Sequence, residues 1–259
     1  MNYGLWLSAS AMQANTWRQD IYANNLANVS TVGFKRDLAN LRQRDPETIA
    51  SGKSDARHLL DKLSGGVLAG PQTISFARGA MLPTGVASDV ALEQEDTFLV
   101  VQHRDPRTNK LGVRLTRDGR LSRNAEGELV LAATGHRVLG QGDQPIILAA
   151  DAPFTIRTDG VILQNGEEVG QLQITGVDDL KRLVNEGGNL FAFDRPGDYR
   201  RPVPGATVRP EHLEASGVDP VKALMDLVAA TKAITANGNL IRYHDTLMDR
   251  AVNVLGRVA

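Results

Sequence analysis

In the last forty residues, apolar side chains recur every seven positions as Leu227, Ile234, Ile241, Met248 and Leu255. A second row, Ala223, Ala230, Asn237, His244, Ala251 and Val258, runs beside it at offsets of three and four. Together they make the a/d seam of a helix built to lie against other helices. Asp219-Pro220 supplies the start, an N-cap residue followed by proline at the first helical position, where a missing N–H costs nothing. Only Gly238 and Gly256 weaken the run. From Pro220 to Val258 such a helix would span roughly 55 to 60 Å. With Ala and Asn alternating among Leu and Ile the seam is thin, so the helix should order on docking rather than alone.

Residues 3 to 28 predict a second helix with apolar positions on two flanks. One row is Leu5, Ala9, Met12, Thr16, Ala23 and Leu26, and the other is Tyr3, Leu7, Ala14, Trp17 and Ile21. Three Asn within Asn24–Asn28 favour side-chain to backbone bonds over further helix, and Gly33 lets the chain turn, so the helix should end there.

Residues 37 to 71 are polar and read as a connecting segment, with Asp45-Pro46 and Gly65-Gly66 as breakers and a short helix possible over 56–63. Beyond residue 72 the pattern changes to short β-rich runs about ten residues apart: 73–76, 97–103, 112–116, 128–132, 137–139, 146–149, 154–157, 161–164 and 170–175. Asp118-Gly119, Glu126-Gly127, Asp159-Gly160 and Asn165-Gly166 offer hairpin turns between them. Pro202, Pro204 and Pro210 make an extended return to the last helix.

Composition narrows the partners. Charge is balanced, 29 basic against 30 acidic residues, so no field draws in nucleic acid or an anionic membrane. No segment approaches the roughly 18 unbroken apolar residues of a membrane span. The amino terminus lacks the basic-then-apolar pattern of a cleaved signal. The absence of cysteine removes disulfides, thiolate zinc sites and cysteine nucleophiles. His58, His103, His136, His212 and His244 stand far apart without HExxH or H-x-H spacing, which argues against a metal. No GxSxG elbow or phosphate loop occurs, and the carboxylates are scattered, so neither catalysis nor a cofactor is expected.

Longer motifs carry a family resemblance. Ala11-Met12 precedes Asn24-Asn25-Leu26-Ala27-Asn28-Val29-Ser30-Thr31-Val32-Gly33-Phe34-Lys35-Arg36; the middle holds Asp89-Val90-Ala91-Leu92, Phe98-Leu99-Val100-Val101-Gln102 and Leu115-Thr116-Arg117-Asp118-Gly119; Glu214-Ala215-Ser216-Gly217-Val218-Asp219-Pro220 leads into the last helix. In these the chain resembles the axial proteins of the bacterial flagellum, the rod and hook proteins. Its length and the Asp89–Leu92 and Phe98–Gln102 motifs look most like the proximal-rod type. Ala11, Val32 and Gly217 depart from the residues usual in that family. The resemblance implies a subunit that binds itself and other rod and hook proteins. It also implies passage through the flagellar export apparatus without a cleaved signal, and residence in the periplasmic rod.

The expectation is therefore a mainly β central body, residues 72–217, with long terminal α-helices, 1–36 and 218–259, that form a coiled-coil or bundle layer. The subunit interface is expected at Leu5, Met12, Trp17, Ile21, Leu26, Leu227, Ile234, Ile241, Met248 and Leu255. The function implied is a structural rod subunit that polymerises through its terminal helices into a torque-transmitting tube. The competing reading is a β-rich carbohydrate-binding or hydrolytic protein with helical oligomerisation ends, which predicts an aromatic cleft with paired carboxylates; 5% aromatic residues speak against a sugar platform.

Overall fold

A computed structural model describes residues 3–45, 65–104, 109, 111–149, 152–195, 197 and 200–255. The short helix expected over 56–63 and the seam position Val258 lie outside the described residues, as does the side chain of Leu255. The chain divides into two units, one of residues 1–27, 37–73 and 219–259, the other of residues 28–36 and 74–218.

The first unit is built on two helices. α1 runs Tyr3–Ala27. α2 runs Pro220–Arg250, opened by the Asp219 carboxylate, which accepts the Val221 N–H at 2.9 Å and the Lys222 N–H at 3.1 Å, and it passes into a π-helical turn at Ala251–Leu255. The two helices pair antiparallel. Gln19 donates to the Thr231 hydroxyl at 3.4 Å near the end of α1, whereas at its start Gly4 lies so close that an added Cβ would stand 2.7 Å from His244 Nε2. A short antiparallel pair, Leu41–Gln43 with Val67–Ala69, belongs to the same unit. The Arg44 guanidinium there sits 5.0 Å over the Trp6 ring.

The expected coiled-coil or bundle layer of long terminal helices is overturned. Among the described residues the chain is mostly β-strand with these two α-helices, and they pack on each other within one molecule. The seam explains why. Ala223 and Ala230 are buried and Leu227, Ile234, Asn237, Ile241 and His244 are half-buried, so the stripe that asks for a helical neighbour meets α1 of its own chain.

The second unit is the β body. Its main sheet runs in the order Leu183–Gly187, Leu190–Phe193, Leu111–Thr116, Thr97–Arg104, Arg137–Gly140, Leu129–Leu131 and Leu121–Arg123. Ile174–Val177 pairs with both Thr97–Arg104 and Arg200–Pro202. Strict alternation in Thr97–Arg104 fills two cores. Leu99 and Val101 enter one with Leu129, Val138 and Ile162, while Phe98 and Val100 enter the other, where Phe76, Phe98 and Phe191 meet edge to face at 5.3 to 6.0 Å. Asn165-Gly166 makes the hairpin between Val161–Gln164 and Glu167–Gln171, both residues at positive φ. Asp118-Gly119 is different. The strands around it do not pair with each other, and Gly119 is needed because a Cβ there would stand 1.6 Å from the Val90 carbonyl oxygen. The run expected at 170–175 is split between Glu167–Gln171 and Ile174–Val177.

Candidate assembly interface

On α1, Ala14 and Ile21 are buried, Leu7 and Trp17 are half-buried, and Tyr3 and Leu5 stand exposed. Met12 and Leu26 are half-buried. On α2, Leu227, Ile234 and Ile241 belong to the seam with α1, while Met248 is 52% exposed. The structure buries Ile21, half-buries Met12, Trp17, Leu26, Leu227, Ile234 and Ile241, and leaves Leu5 and Met248 exposed.

A second apolar row on α2 was missed. Val221, Leu224, Met225 and Val228 are exposed near its start, and Leu240, Tyr243 and Leu247 further along. Their spacing of three, four and seven puts each group on one helix face, a signal present in the sequence but masked by the stronger heptad beside it. Single exposed leucines are ordinary; rows of them on one helix mark a surface for contact.

The β body holds a buried ionic cluster where two chain segments enter it, 28–36 after α1 and 212–218 before α2. Lys35 and Glu214, 179 positions apart, meet with Nζ 2.6 Å from Oε1, and Lys35 also donates to the Phe76 and Ala77 carbonyls at 3.2 and 3.0 Å. Arg117 Nε donates to the other Glu214 oxygen at 2.8 Å, and its Nη1 donates to the Gln94 and Thr97 carbonyls, each at 2.6 Å. The Gly79 N–H adds a bond to Glu214 Oε1 at 2.9 Å. The backbones are joined too, Gly33 N–H to the Glu214 carbonyl at 2.7 Å and Gly217 N–H to the Phe34 carbonyl at 2.9 Å. Gly33 takes φ +66°, and a Cβ there would stand 2.4 Å from the Arg117 carbonyl oxygen.

All three ionic side chains are sealed from water. Burial, then the Arg117 charge, holds the Lys35 ammonium below the usual lysine range despite Glu214. Burial likewise lowers Arg117. For Glu214, burial pushes the carboxyl up, but Arg117 and Lys35 outweigh it and hold it below the ordinary carboxylate value. Sequence offered little warning, since lysine is almost never fully buried unless paired and its partner lay at the far end of the chain.

A cleft of about 610 Å³ on the β body is lined by Gln141, Gln171, Gln173, Thr175 and Arg200 among others. Asp159 is its one lining carboxylate, held by Arg157 at 2.6 Å, and no aromatic ring lines it. The sugar cleft of the competing reading needed both. Among the described residues no group of three or more His, Cys, Asp or Glu could hold a metal, and no helix is long and apolar enough to cross a membrane.

A β body whose two chain ends are helical, with apolar rows uncovered on the last helix, defines a subunit of an assembly. The chain belongs to the flagellar basal-body rod protein family. Residues 7–35 match the family described as flagella basal body rod protein, and residues 209–254 match the flagellar basal body rod FlgEFG protein C-terminal family. It is 30% identical over its whole length to the flagellar basal-body rod protein FlgF of Caulobacter vibrioides, all of which is covered. It is 28% identical to that of Salmonella typhimurium, over 98% of this chain and 99% of the relative. With the flagellar hook-basal body complex protein FlhO of Bacillus subtilis it shares 26% over 98% and 99%. The chain is a structural subunit of the basal-body rod, of the proximal-rod type, and assembles there with other rod and hook proteins.

Proposed function

We propose that this subunit joins the rod through the outer apolar rows of α2, which pack against neighbouring subunits, with Leu5 and Met248 contributing and the Leu227–Ile234–Ile241 row holding α2 to α1. The observation that carries this reading is the exposure of Leu240, Tyr243 and Leu247 on one helix face. Burying a leucine or tyrosine of this kind contributes about 1.5–3 kcal/mol, so a few such contacts per subunit, repeated head to tail without closure, sustain a tube. In this reading the protein catalyses nothing and binds no cofactor. It reaches the periplasmic part of the rod through the flagellar export apparatus, without a cleaved signal.

Replacing Leu240, Tyr243 and Leu247 together by Gln should leave the purified chain folded, with an unchanged helical spectrum and melting temperature, while isolated basal bodies lose the protein and cells stop swimming. Normal incorporation of the triple variant would refute the assignment of this face.

A further inference from the structure

Glu214 uses both carboxylate oxygens and its backbone carbonyl to hold three separate stretches of the β body: Lys35 and Gly33 of the segment that follows α1, Arg117 of the central sheet, and Gly79. The roles of the two cations differ. Arg117 fastens Glu214 to the sheet, because its other nitrogen bonds the Gln94 and Thr97 carbonyls. Lys35 fastens the segment leaving for α1 to the segment leaving for α2, and its ammonium also bonds the Phe76 and Ala77 carbonyls.

Two buried cations on one carboxylate are a poor way to gain stability. Desolvating each ion is costly, and apolar replacements of buried ion pairs are often neutral or better. What such a cluster does supply is a single geometry, since neither oxygen of Glu214 has freedom to accept elsewhere. We propose that Lys35 is a positioning residue that locks segment 28–36 to segment 212–218 within the β body, so that load carried along either segment is borne by one joint there. This rests on the chain being a force-carrying rod subunit, and it assigns that task to a residue outside the helical contact faces.

The test compares Lys35→Met with Arg117→Met in the full-length protein and in cells. Lys35→Met, which leaves the Arg117–Glu214 pair in place, should lower the melting temperature less than Arg117→Met does, while the Gly33 and Gly217 amides exchange hydrogen about tenfold faster, a local opening without global loss. Arg117→Met should lower the melting temperature outright. In cells, Lys35→Met should still be found in basal bodies, but swimming should slow in viscous medium more than in dilute medium. A Lys35→Met protein that fails to fold, or melts as low as Arg117→Met, would make Lys35 an ordinary structural ion of the body and overturn the proposal. So would unchanged exchange at Gly33 and Gly217, or unchanged swimming under load. Failure of the assembly reading shows separately, as normal incorporation of the α2 outer-face variant.

Discussion

The Asn25 side chain and the Asp37 backbone hold each other through two hydrogen bonds: the Asn25 amide donates to the Asp37 carbonyl at 2.8 Å, and its oxygen accepts the Asp37 N–H at 2.9 Å. An asparagine near the end of α1 thus acts as a stretch of β-strand for a residue twelve positions on. Both partners are buried, so water cannot substitute. Asn25→Ala leaves an N–H and a carbonyl unpaired and should cost about 2–3 kcal/mol, read as a lower urea midpoint of the full chain. Asn24→Ala, which removes a bond at 3.1 Å to the Asp37 carboxylate from a more exposed residue, should cost less than half as much.

The Asp37 carboxyl itself is under strain of another kind. Burial pushes it above the usual carboxylate range, and the Gln72 and Asn24 amides only partly oppose this. Its Oδ1 is buried without a hydrogen-bond partner. A carboxyl raised in the fold binds its proton more tightly there than in the unfolded chain. Its contribution to stability is therefore fully present below the unfolded value and is lost as pH rises through the folded one. Asp37→Asn removes that dependence. The stability difference between variant and parent, from urea curves at pH 3 to 7, should grow in the variant's favour as pH rises; a difference that stays flat would mean the carboxyl titrates normally.

His136 gives the opposite slope. It lies across from His103 on the adjacent strand, ring centroids 5.0 Å apart, and burial, then the neighbouring imidazole, pulls it below the ordinary histidine value. The fold prefers its neutral form. Stability from this group is fully present above the unfolded value of about 6.5 and is lost as pH falls from there through the lower folded value. His136→Gln should flatten the fall in melting temperature between pH 7.5 and 5.5, in steps of about half a unit, relative to the parent.

How much of this was readable from the chain varies by physical cause. Local chemistry was legible: Asp219-Pro220 opened α2, Asn165-Gly166 turned a hairpin, and the β-rich run at 97–103 became a strand, because each depends on residues a few positions apart. Pairing over distance was not. The a/d seam of α2 stated that a helical partner was wanted, but nothing in its spacing said that α1 of the same molecule would serve. Gly119 looked like a turn glycine, and its real constraint, the Val90 carbonyl, comes from another strand. The Lys35–Glu214–Arg117 cluster draws one residue from each of three motifs that carry the family likeness, and only folding brings them to one carboxylate.

Breaking that meeting at its centre should be the most damaging single change in the β body. Glu214→Gln keeps the side chain's shape but removes the one negative charge that Lys35 and Arg117 share, leaving two buried cations facing a neutral amide. Removing one partner of a buried ionic group costs about 3–5 kcal/mol, against about 1 kcal/mol for an average substitution. Because the native Glu214 carboxyl is held below its ordinary value, its contribution exists above the unfolded carboxylate range and disappears as pH falls through the folded value. The penalty of Glu214→Gln should accordingly be largest near neutral pH and shrink in acid, where the parent carboxyl also becomes neutral. Urea unfolding of both proteins at pH steps from 7 down through the acid side of the ordinary carboxylate range measures this directly, and a penalty of equal size throughout would mean that Glu214 acts by shape and hydrogen bonding rather than by charge.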